Sequence, residues 1–376
     1  MVDKTFKKLQ DVKDLEGKKV LLRLDLNVPI VDGAVRDDFR IQRILPTLAY
    51  LKDKKAKTII VSHIDGEASA SLVSVAKYLS TFYTISAFVS HIPDAPNVVS
   101  TMKNGDIIML ENIRSDAGEV ANSPRLAGFL ASLADIYVDD AFSVCHREHA
   151  SIVGVPRLIP CYAGPLLQKE IAALSEAFNP PRPFLFALAG AKFGTKLPLI
   201  EKFLDIADTV FVGGALANDI FKEKGYEVGL SLVSKVPVDL SRVIKSPKLI
   251  IPQDVIAQSP YESGDRDAAN VAPAETIVDA GPRTSAELAD ILQDVKFVLW
   301  NGPFGDYEKG FSQSTIDFAQ AIVDSGAKSV VGGGDTIAVI AKAGFLDKFS
   351  FASTGGGAMI EFLANGTLPG IEALKA

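Results

Sequence analysis

The stretch Ser329–Thr336, Ser-Val-Val-Gly-Gly-Gly-Asp-Thr, joins a short apolar run to three consecutive glycines and an aspartate. An apolar run of this length is typical of a buried strand, and the glycine turn that follows it can open a helix. Runs of the same kind recur along the chain. The predicted strands are Val20–Leu26, Thr58–Ser62, Asp106–Leu110, Ile136–Val138, Phe184–Leu188, Thr209–Val212, Lys296–Trp300 and Ser329–Val331.

Longer stretches with helical spacing lie between these runs, for example Arg40–Lys52, Ser71–Leu79 and Ser314–Val323. Continuously apolar strands that alternate with helices are typical of parallel sheets covered on both faces. We therefore predict the α/β class, with two doubly wound, Rossmann-like parallel-sheet lobes joined by a hinge helix.

The predicted hinge helix is bounded by prolines. Leu166–Phe178 has the spacing of an amphipathic helix, and the prolines within Asn179–Pro183 end it because proline cannot continue a helix. A helix of this kind between two α/β lobes is a reasonable hinge. The alternative interpretation is an ordinary surface connection.

The composition excludes several classes of protein. A length of 376 residues suits two or three domains, and 48% hydrophobic with 23% charged residues is ordinary for a packed globular chain. No apolar segment is long enough for a membrane span, and the first residues lack a secretion signal. Two cysteines are too few for a disulfide scaffold, which indicates a reducing cytoplasm. The net charge of −7 argues against nucleic-acid binding.

Glycine-rich turns are concentrated in the second half of the chain. After a buried strand, such turns expose backbone N–H groups at the positive end of a helix, which favours binding of phosphate. None of them fits the P-loop pattern or the dinucleotide fingerprint G-x-G-x-x-G. The four turns are Ala189–Lys192, Val212–Ala215, Gly332–Thr336 and Ser353–Gly357.

Charged residues in these turns predict contacts with a phosphate chain. Lys192 and Lys196 are spaced i, i+4, so both ammonium groups can face one phosphate chain from the start of a helix. Asp335 follows three glycines directly, where it can hold Mg²⁺ beside the phosphates. It can also cap the following helix, and the two roles are compatible.

Cationic side chains follow the predicted strands of the first half. At the end of one strand Arg23, Asp25 and Asn27 alternate, so the three side chains share a face. Because parallel strands end at a common edge, we expect a basic basin there, suited to a small phosphorylated carboxylate. The cationic residues of this basin are Arg40, His63, Arg114, and His146 with Arg147.

These motifs together resemble the phosphoglycerate kinase family, and the resemblance runs nearly end to end. Trp-Asn-Gly-Pro, Gly-Gly-Gly-Asp-Thr and Ser-Thr-Gly-Gly-Gly-Ala, in that order, are highly specific. The stretches that carry the resemblance are Arg23–Pro29, Leu110–Arg114, Tyr137–Phe142, His146–Ser151, Ala163–Leu167, Gly190–Lys192, Trp300–Pro303, Gly332–Thr336 and Ser353–Ala358.

The resemblance implies reversible phosphoryl transfer from 1,3-bisphosphoglycerate to ADP, giving ATP and 3-phosphoglycerate by direct in-line transfer on hinge closure. It implies a glycerate-binding lobe over residues 1–162, an interdomain helix over 163–182 and a nucleotide-binding lobe over 183–355. Residues 356–376 would pack back on the first lobe. The implied protein is a monomeric cytoplasmic enzyme that uses Mg²⁺ and ATP or ADP, without a nucleic-acid or membrane partner.

The resemblance also implies roles by position. Arg40 and Lys192 would be catalytic, Glu308 would bind the ribose, and Asp335 would bind Mg²⁺. The implied substrate-binding residues are Asp25, Asn27, Arg40, His63, Arg114 and Arg147. The implied nucleotide-binding residues are Lys192, Lys196, Asn301, Glu308, Gly332, Gly333, Gly334, Asp335 and Thr336, and Gly355, Gly356 and Gly357 would present a helix amino terminus to phosphate.

Three stretches depart from the family pattern. After Ser62-His63 the family usually has Gly-Arg-Pro, whereas this chain continues with Ile64–Ser69, so a substrate-side arginine is replaced by acidic neighbours. Ser115–Glu119 replaces a phenylalanine and an acidic run, and Gly213–Ala215 ends in alanine instead of a third glycine. Loss of one charged hydrogen bond costs about 1.5–3 kcal/mol, which weakens an enzyme without abolishing its activity.

Two alternative functions stay open on the sequence. A catalytically weakened homologue would bind nucleotide without efficient turnover, although retention of both Arg40 and Lys192 argues against it. A dinucleotide-dependent oxidoreductase on a similar sheet is disfavoured because the G-x-G-x-x-G fingerprint is missing.

Overall fold

The computed structural model describes residues 6–66, 70–190, 193–236 and 238–375, and the main chain alone at 193–195. Two six-stranded sheets, parallel throughout, form the centre of the fold. The strands are β1 (Lys19–Arg23), β2 (Ile30–Val31), β3 (Ala34–Val35), β4 (Lys57–Val61), β5 (Ile85–Val89), β6 (Ile107–Leu110), β7 (Ile136–Asp139), β8 (Cys161–Ala163), β9 (Phe184–Leu188), β10 (Thr209–Val212), β11 (Leu249–Ile250), β12 (Asp254–Gln258), β13 (Ser263–Asp267), β14 (Thr276–Ala280), β15 (Phe297–Asn301), β16 (Lys328–Gly332) and β17 (Phe351–Ala352).

The first sheet has the strand order β5-β6-β4-β1-β7-β8. Its four inner strands coincide with predicted apolar runs, because strands covered on both faces are buried almost throughout. The outer strands were not predicted. β5 is only partly buried, and β8 has three residues, so neither gives a continuous apolar run.

The second sheet has the order β11-β10-β9-β15-β16-β17, and β9 at its centre is buried throughout. Its inner strands also coincide with predicted apolar runs. A third sheet, with β12 between β13 and β14, is antiparallel and was not predicted. β13 reads Ser-Gly-Asp-Arg-Asp, so hydrophobic periodicity cannot reveal it.

The helices lie between the strands, as the alternating pattern predicts. No helix of the described residues combines the length and the apolarity that crossing a membrane requires. The helices are α1 (Phe39–Asp53), α2 (Val73–Leu79), α3 (Ala95–Ser100), α4 (Pro124–Ser132), α5 (Pro165–Ser175), α6 (Phe193–Ile206), α7 (Ala215–Glu223), α8 (Ser241–Ile244), α9 (Pro282–Leu292), α10 (Gln313–Ser325), α11 (Gly334–Lys342), α12 (Gly356–Asn365) and α13 (Pro369–Ala373).

The chain divides into two compact units, residues 1–172 with 365–376, and residues 173–364. Each unit holds one six-stranded parallel sheet, which confirms the predicted α/β class with two parallel-sheet lobes. The division falls within α5, inside the segment predicted as a hinge. In the final segment, α13 belongs to the first unit, where the Gly370 N–H donates to the Cys145 carbonyl at 2.8 Å.

Asp140 joins three elements of the first unit. The carboxylate is fully buried, and it accepts hydrogen bonds from the Thr47 hydroxyl on α1 and from the Leu167 N–H in the first turn of α5. A side chain at Gly164 would collide with this carboxylate, because an added Cβ would lie 2.3 Å from its Oδ1 atom. Burial raises the pKa of Asp140 to about 7 despite these hydrogen bonds.

Stability should therefore depend on the charge of Asp140. The unfolded chain releases this proton near pH 4 (about 3.9), whereas the folded chain holds it to about pH 7, so stability falls as pH rises across that window. We expect Asp140→Asn to be more stable than the parent at pH 8, by roughly 1–3 kcal/mol, with the difference shrinking toward pH 5. Urea unfolding at several pH values measures it.

Asp135→Asn is the matched control, since this exposed carboxylate lies in the same unit. A difference between Asp140→Asn and the parent that does not change with pH would contradict the expectation.

Candidate active site

Loops at the carboxyl ends of four neighbouring strands hold the predicted substrate residues. These strands stand in the order β6-β4-β1-β7, and because they are parallel their carboxyl ends share one edge of the first sheet. Asp25 and Asn27 follow β1, His63 follows β4, Arg114 follows β6, and Arg147 follows β7. Arg40 comes from the first turn of α1.

Asp25 is the centre of this edge. Its buried carboxylate lies 3.1 Å from the Arg40 guanidinium and accepts a hydrogen bond from the Ser143 hydroxyl. Burial raises the pKa of Asp25, but the charge of Arg40, the neighbouring His63 and hydrogen bonds from Ser143 and the Asn27 N–H together outweigh it, so the pKa lies below its usual value. Arg40 also donates to the Asn27 carbonyl at 2.6 Å and keeps 30% of its side chain exposed. An ionised Asp25 thus orients an arginine that remains accessible to a ligand.

His63 is neutral and is not the cation that the sequence predicts. Its side chain is 2% exposed, and burial together with the charge of Arg23 lowers its pKa to about 3. The Arg23 Nη2 atom lies 3.3 Å from His63 Nδ1. Since arginine can only donate, Nδ1 accepts, and the proton is on Nε2, which lies 4.0 Å from Asp25 Oδ1.

Arg23 lies inside the unit and not on the exposed edge. It is fully buried, donates to Ser151 Oγ at 2.8 Å and lies 3.8 Å from Glu119. Glu119 in turn accepts from the Ser151 N–H at 2.9 Å. Sequence reasoning placed Arg23 on the ligand face and gave no role to Glu119, because a buried ion pair leaves no periodic signal.

Arg114 and Arg147 lie toward the same region. Arg114 is 20% exposed and pairs with Asp65, whereas the side chain of Arg147 is exposed. His149 was not predicted as part of the site. Burial lowers its pKa and Glu119, 3.8 Å from its Nδ1 atom, opposes that effect, while the positive charges of Arg114, Arg23 and Arg147 add to it. His149 therefore lies in a region of positive charge that includes Arg114 and Arg147.

A cavity of about 590 Å³ lies in the second unit, at the carboxyl edge of its sheet. Glu308 and Asp335, both predicted as nucleotide ligands, are exposed and line it. One part of the lining is apolar and includes Leu230 and Leu232, which are more than half exposed. A cavity with an apolar side and carboxylates at its rim suits a nucleoside with phosphates.

Two glycine turns bring helix amino termini together beside this cavity. Gly333 precedes α11 with φ of 101°, a conformation that favours glycine. A Cβ added to Gly356, which begins α12, would lie 3.3 Å from the Gly333 Cα atom. The first residues of the two helices are therefore in contact, and the amino terminus of a helix favours an anion.

Lys196 reaches back over the glycine turn at the end of β9. Its ammonium group donates to the Ala189 carbonyl at 2.6 Å and would lie 2.6 Å from a Cβ at Gly190. Burial lowers the pKa of Lys196 to about 8, against the opposing effect of Asp335. Lys192, the other lysine of the predicted pair, lies outside the described residues.

Two predicted nucleotide ligands prove to be interior residues. Thr336 is fully buried, and its hydroxyl accepts a hydrogen bond from the Gly302 N–H at 3.0 Å, so only its backbone at the start of α11 is available to phosphate. Asn301 is 5% exposed, and its amide lies 3.6 Å from the Met359 sulfur. Thr336 thus joins the turn after β15 to α11, and Asn301 contacts α12.

Asn218 is a cavity residue that sequence reasoning missed. It is 2% exposed, lines the cavity and donates to the Leu232 carbonyl at 3.0 Å. Its side-chain oxygen has no hydrogen-bond partner and can therefore accept one from a ligand. No signal in the sequence marks it, because an asparagine inside an amphipathic helix is most simply interpreted as a surface residue.

A sequence model of the family described as "Phosphoglycerate kinase" matches residues 9–366, a span that includes both sites. The chain belongs to the phosphoglycerate kinase family. The resemblance predicted from the motifs is thereby confirmed, as is its class, a phosphotransferase. The oxidoreductase alternative is wrong.

Individual members of the family match this chain over nearly its whole length. A phosphoglycerate kinase of Clostridium beijerinckii is 39% identical, covering 98% of this chain and 98% of the relative. A solved phosphoglycerate kinase structure from Coxiella burnetii is 36% identical with a TM-score of 0.83. One from Pyrococcus horikoshii is 31% identical with a TM-score of 0.87. Each structure covers 98% of both chains, so this member of the phosphoglycerate kinase family has the fold of the family throughout.

The lowered pKa of Lys196 predicts a pH-dependent affinity of this chain for ADP. In the empty site the ammonium loses its proton as pH rises through about 8, and only the charged form attracts phosphate. We expect the dissociation constant to rise about tenfold between pH 7 and 9. Lys196→Met should bind roughly tenfold more weakly at pH 7 and lose this dependence. Isothermal titration calorimetry measures both.

Lys222→Met, which removes an exposed lysine of α7, should keep the parental profile. A steep pH dependence that survives in Lys196→Met would assign the titration to another group.

Proposed function

We propose that this chain catalyses the reversible transfer of a phosphoryl group from 1,3-bisphosphoglycerate to ADP, giving ATP and 3-phosphoglycerate. The observation that supports this most strongly is the family match over residues 9–366, which includes the basic edge of one unit and the glycine-lined cavity of the other. Each unit supplies the chemistry that one of the two ligands needs.

We propose that the first unit binds the glycerate. Asp25, Asn27, Arg40, His63, Arg114 and Arg147 are the residues proposed for this role. Arg40 and Arg114 offer bidentate donors for phosphate and carboxylate. Neutral His63 offers its Nε2 proton without adding charge. Arg40 is the proposed catalytic residue here, because its exposed guanidinium can stabilise the negative charge on the transferring group.

We propose that the second unit binds the nucleotide. The converging amino termini of α11 and α12, together with Lys196, favour the phosphates, and Glu308 on the cavity rim suits a ribose hydroxyl. Lys192 is proposed as catalytic from the family resemblance. The exocyclic and ring positions of the base would lie against the apolar side of the cavity.

Asp335 fits a magnesium ion bound through the nucleotide. It is exposed at the start of α11, and Mg²⁺ typically takes one or two carboxylates plus substrate phosphates. Among the described residues no group of three or more His, Cys, Asp or Glu side chains has metal-site geometry, so the protein supplies few of the ligands. When bound, Mg²⁺ would neutralise charge on the phosphates.

Direct transfer requires the acyl phosphate and the nucleotide to meet with water excluded, since water would hydrolyse the acyl phosphate. We propose that the segment 163–182, which contains α5, is the hinge for this step. The lobe boundaries at 162, 183 and 356 remain part of the proposal. We also propose that the protein is a monomer of the cytoplasm and has no nucleic-acid or membrane partner. Its two cysteines are free and buried, in agreement with a reducing compartment.

Formation of ATP from ADP and 1,3-bisphosphoglycerate, measured in a coupled assay, tests the proposal. We expect activity in the parent and a loss of about a hundredfold or more in kcat for Arg40→Ala, since a charge-stabilising donor is removed. Lys192→Ala should show a comparable loss. Arg157→Ala, at an exposed arginine of the same unit as Arg40, is the control and should match the parent.

An inactive parent would contradict the kinase function and favour the catalytically weakened homologue. Unchanged kcat in Arg40→Ala and Lys192→Ala would instead contradict the residue assignment.

The metal assignment predicts a second outcome. Mg²⁺ should tighten ADP binding in the parent and have little effect on Asp335→Asn, because the amide replaces the anionic oxygen that the cation prefers. Titration of ADP with and without Mg²⁺ measures this. Asp347→Asn, at an exposed aspartate of the same unit, should keep the parental response. An equal response in Asp335→Asn would place the ion elsewhere.

A further inference from the structure

Asp65 occupies the anion-binding edge of the first unit. Its Oδ1 atom pairs with Arg114 Nη1, and its Oδ2 atom accepts from Asn27 Nδ2 at 2.8 Å. The Asp65 N–H in turn donates to Asn27 Oδ1 at 3.1 Å. One carboxylate therefore engages two of the residues proposed to bind substrate.

This carboxylate stands where the sequence departs from the family pattern. The stretch after His63 reads Ile-Asp-Gly, in place of the Gly-Arg-Pro that the family resemblance leads one to expect. The chain thus has an anion at an edge whose proposed ligand is itself an anion. The charge of Asp65 also acts on the buried His63. Asp65 raises the pKa of His63, whereas Arg114 lowers it.

The backbone of Arg114 is held in place by contacts that do not involve the Asp65 side chain. Its N–H donates to Asn112 Oδ1 at 3.1 Å, within the short helical turn Ile113–Ser115. Asn112 is itself held by Ile64, whose N–H donates to it at 3.2 Å and whose carbonyl accepts from it at 2.9 Å. The loop that carries Arg114 is therefore fixed by a buried amide.

Asp65, by contrast, is 62% exposed, whereas Arg114 is 20% exposed. An exposed carboxylate can leave an ion pair for water at little cost, since its solvation replaces most of the attraction. A cavity of about 560 Å³ lined by Asn27, Asp65 and Ser71 lies beside it. Arg114 would then be free to pair with a phosphate or a carboxylate of the ligand.

We propose that Asp65 is an intramolecular competitor of the anionic substrate, which neutralises Arg114 in the empty site and sets the affinity for a phosphorylated carboxylate. This inference rests on the proposed function, in that 3-phosphoglycerate is taken as the substrate. Asp65 takes part in no bond-making step. Its effect is on KM for the glycerate, and not on KM for the nucleotide or on kcat.

Asp65→Asn tests the proposal, because the amide keeps the size of the side chain and can still bond to Asn27 while the charge is lost. We expect KM for 3-phosphoglycerate to fall about three- to tenfold, with kcat within twofold and KM for ATP unchanged. Asp94→Asn is the matched control, since Asp94 is a 65% exposed carboxylate of the same unit that pairs with His91. It should match the parent.

The route through Arg114 is tested by repeating the substitution in an Arg114→Ala background. If Asp65 competes for Arg114, Asp65→Asn should lower KM for 3-phosphoglycerate only slightly in this background. A gain of the same size in both backgrounds would mean that Asp65 acts by general repulsion, and would overturn the assignment to Arg114. A higher KM, or an unchanged one, in Asp65→Asn would overturn the proposal itself.

Calorimetric titration of 3-phosphoglycerate alone separates this inference from the proposed function. Tighter binding to Asp65→Asn than to the parent supports competition even where neither protein forms ATP. Equal or weaker binding contradicts it, whatever the kinase assay shows. Titration of inorganic phosphate is the companion measurement, and the same gain there would show that Arg114 recognises the phosphate of the ligand.

Discussion

Parallel pairing of β1, β4, β6 and β7 is the constraint on which the substrate site depends. It brings four strand ends to one edge, so that side chains distant in sequence meet without any local motif that joins them. The same constraint in the second unit places the turns after β9, β15 and β16 beside one cavity. Each site is thus a property of sheet topology first and of individual residues second.

Charged groups of the first unit are paired both in its interior and at the partly exposed edge of its sheet. Arg23 and Glu119 are fully buried and lie 3.8 Å apart. Burial and the charge of Arg23 together lower the pKa of His63, so its imidazole is neutral. Asp25 pairs with Arg40, and part of the Arg40 side chain reaches solvent. Because an unpaired buried charge is strongly destabilising, the interior pairs allow several cations to stand close together at the edge.

The sequence was sufficient to predict the central strands, the α/β class and the family. β9 is apolar throughout, and β15 is apolar up to its last residue, Asn301, so both give a clear signal. The glycine turns after the strands are the basis of the proposed phosphate contacts. The sequence was insufficient for polar residues whose role depends on whether their side chains are buried. Arg23 and Thr336 carry polar groups whose partners come from other segments, and Asn218 owes its place to a cavity that forms only on folding. β13, five residues without an apolar side chain, is held by its pairing with β12 and by ion pairs of Arg266 with Glu275 and of Asp267 with Arg283.

The contact between Gly333 and Gly356 constrains how this chain can diverge. A methyl group on Gly356 would press on the Gly333 Cα atom, and Gly333 itself adopts a backbone conformation that few other residues accept. Two turns separated by a whole helix and strand thus share one small volume. Mutational drift in either turn is limited by the other, and the pair should persist as glycines even in descendants that have lost the activity but retain the fold.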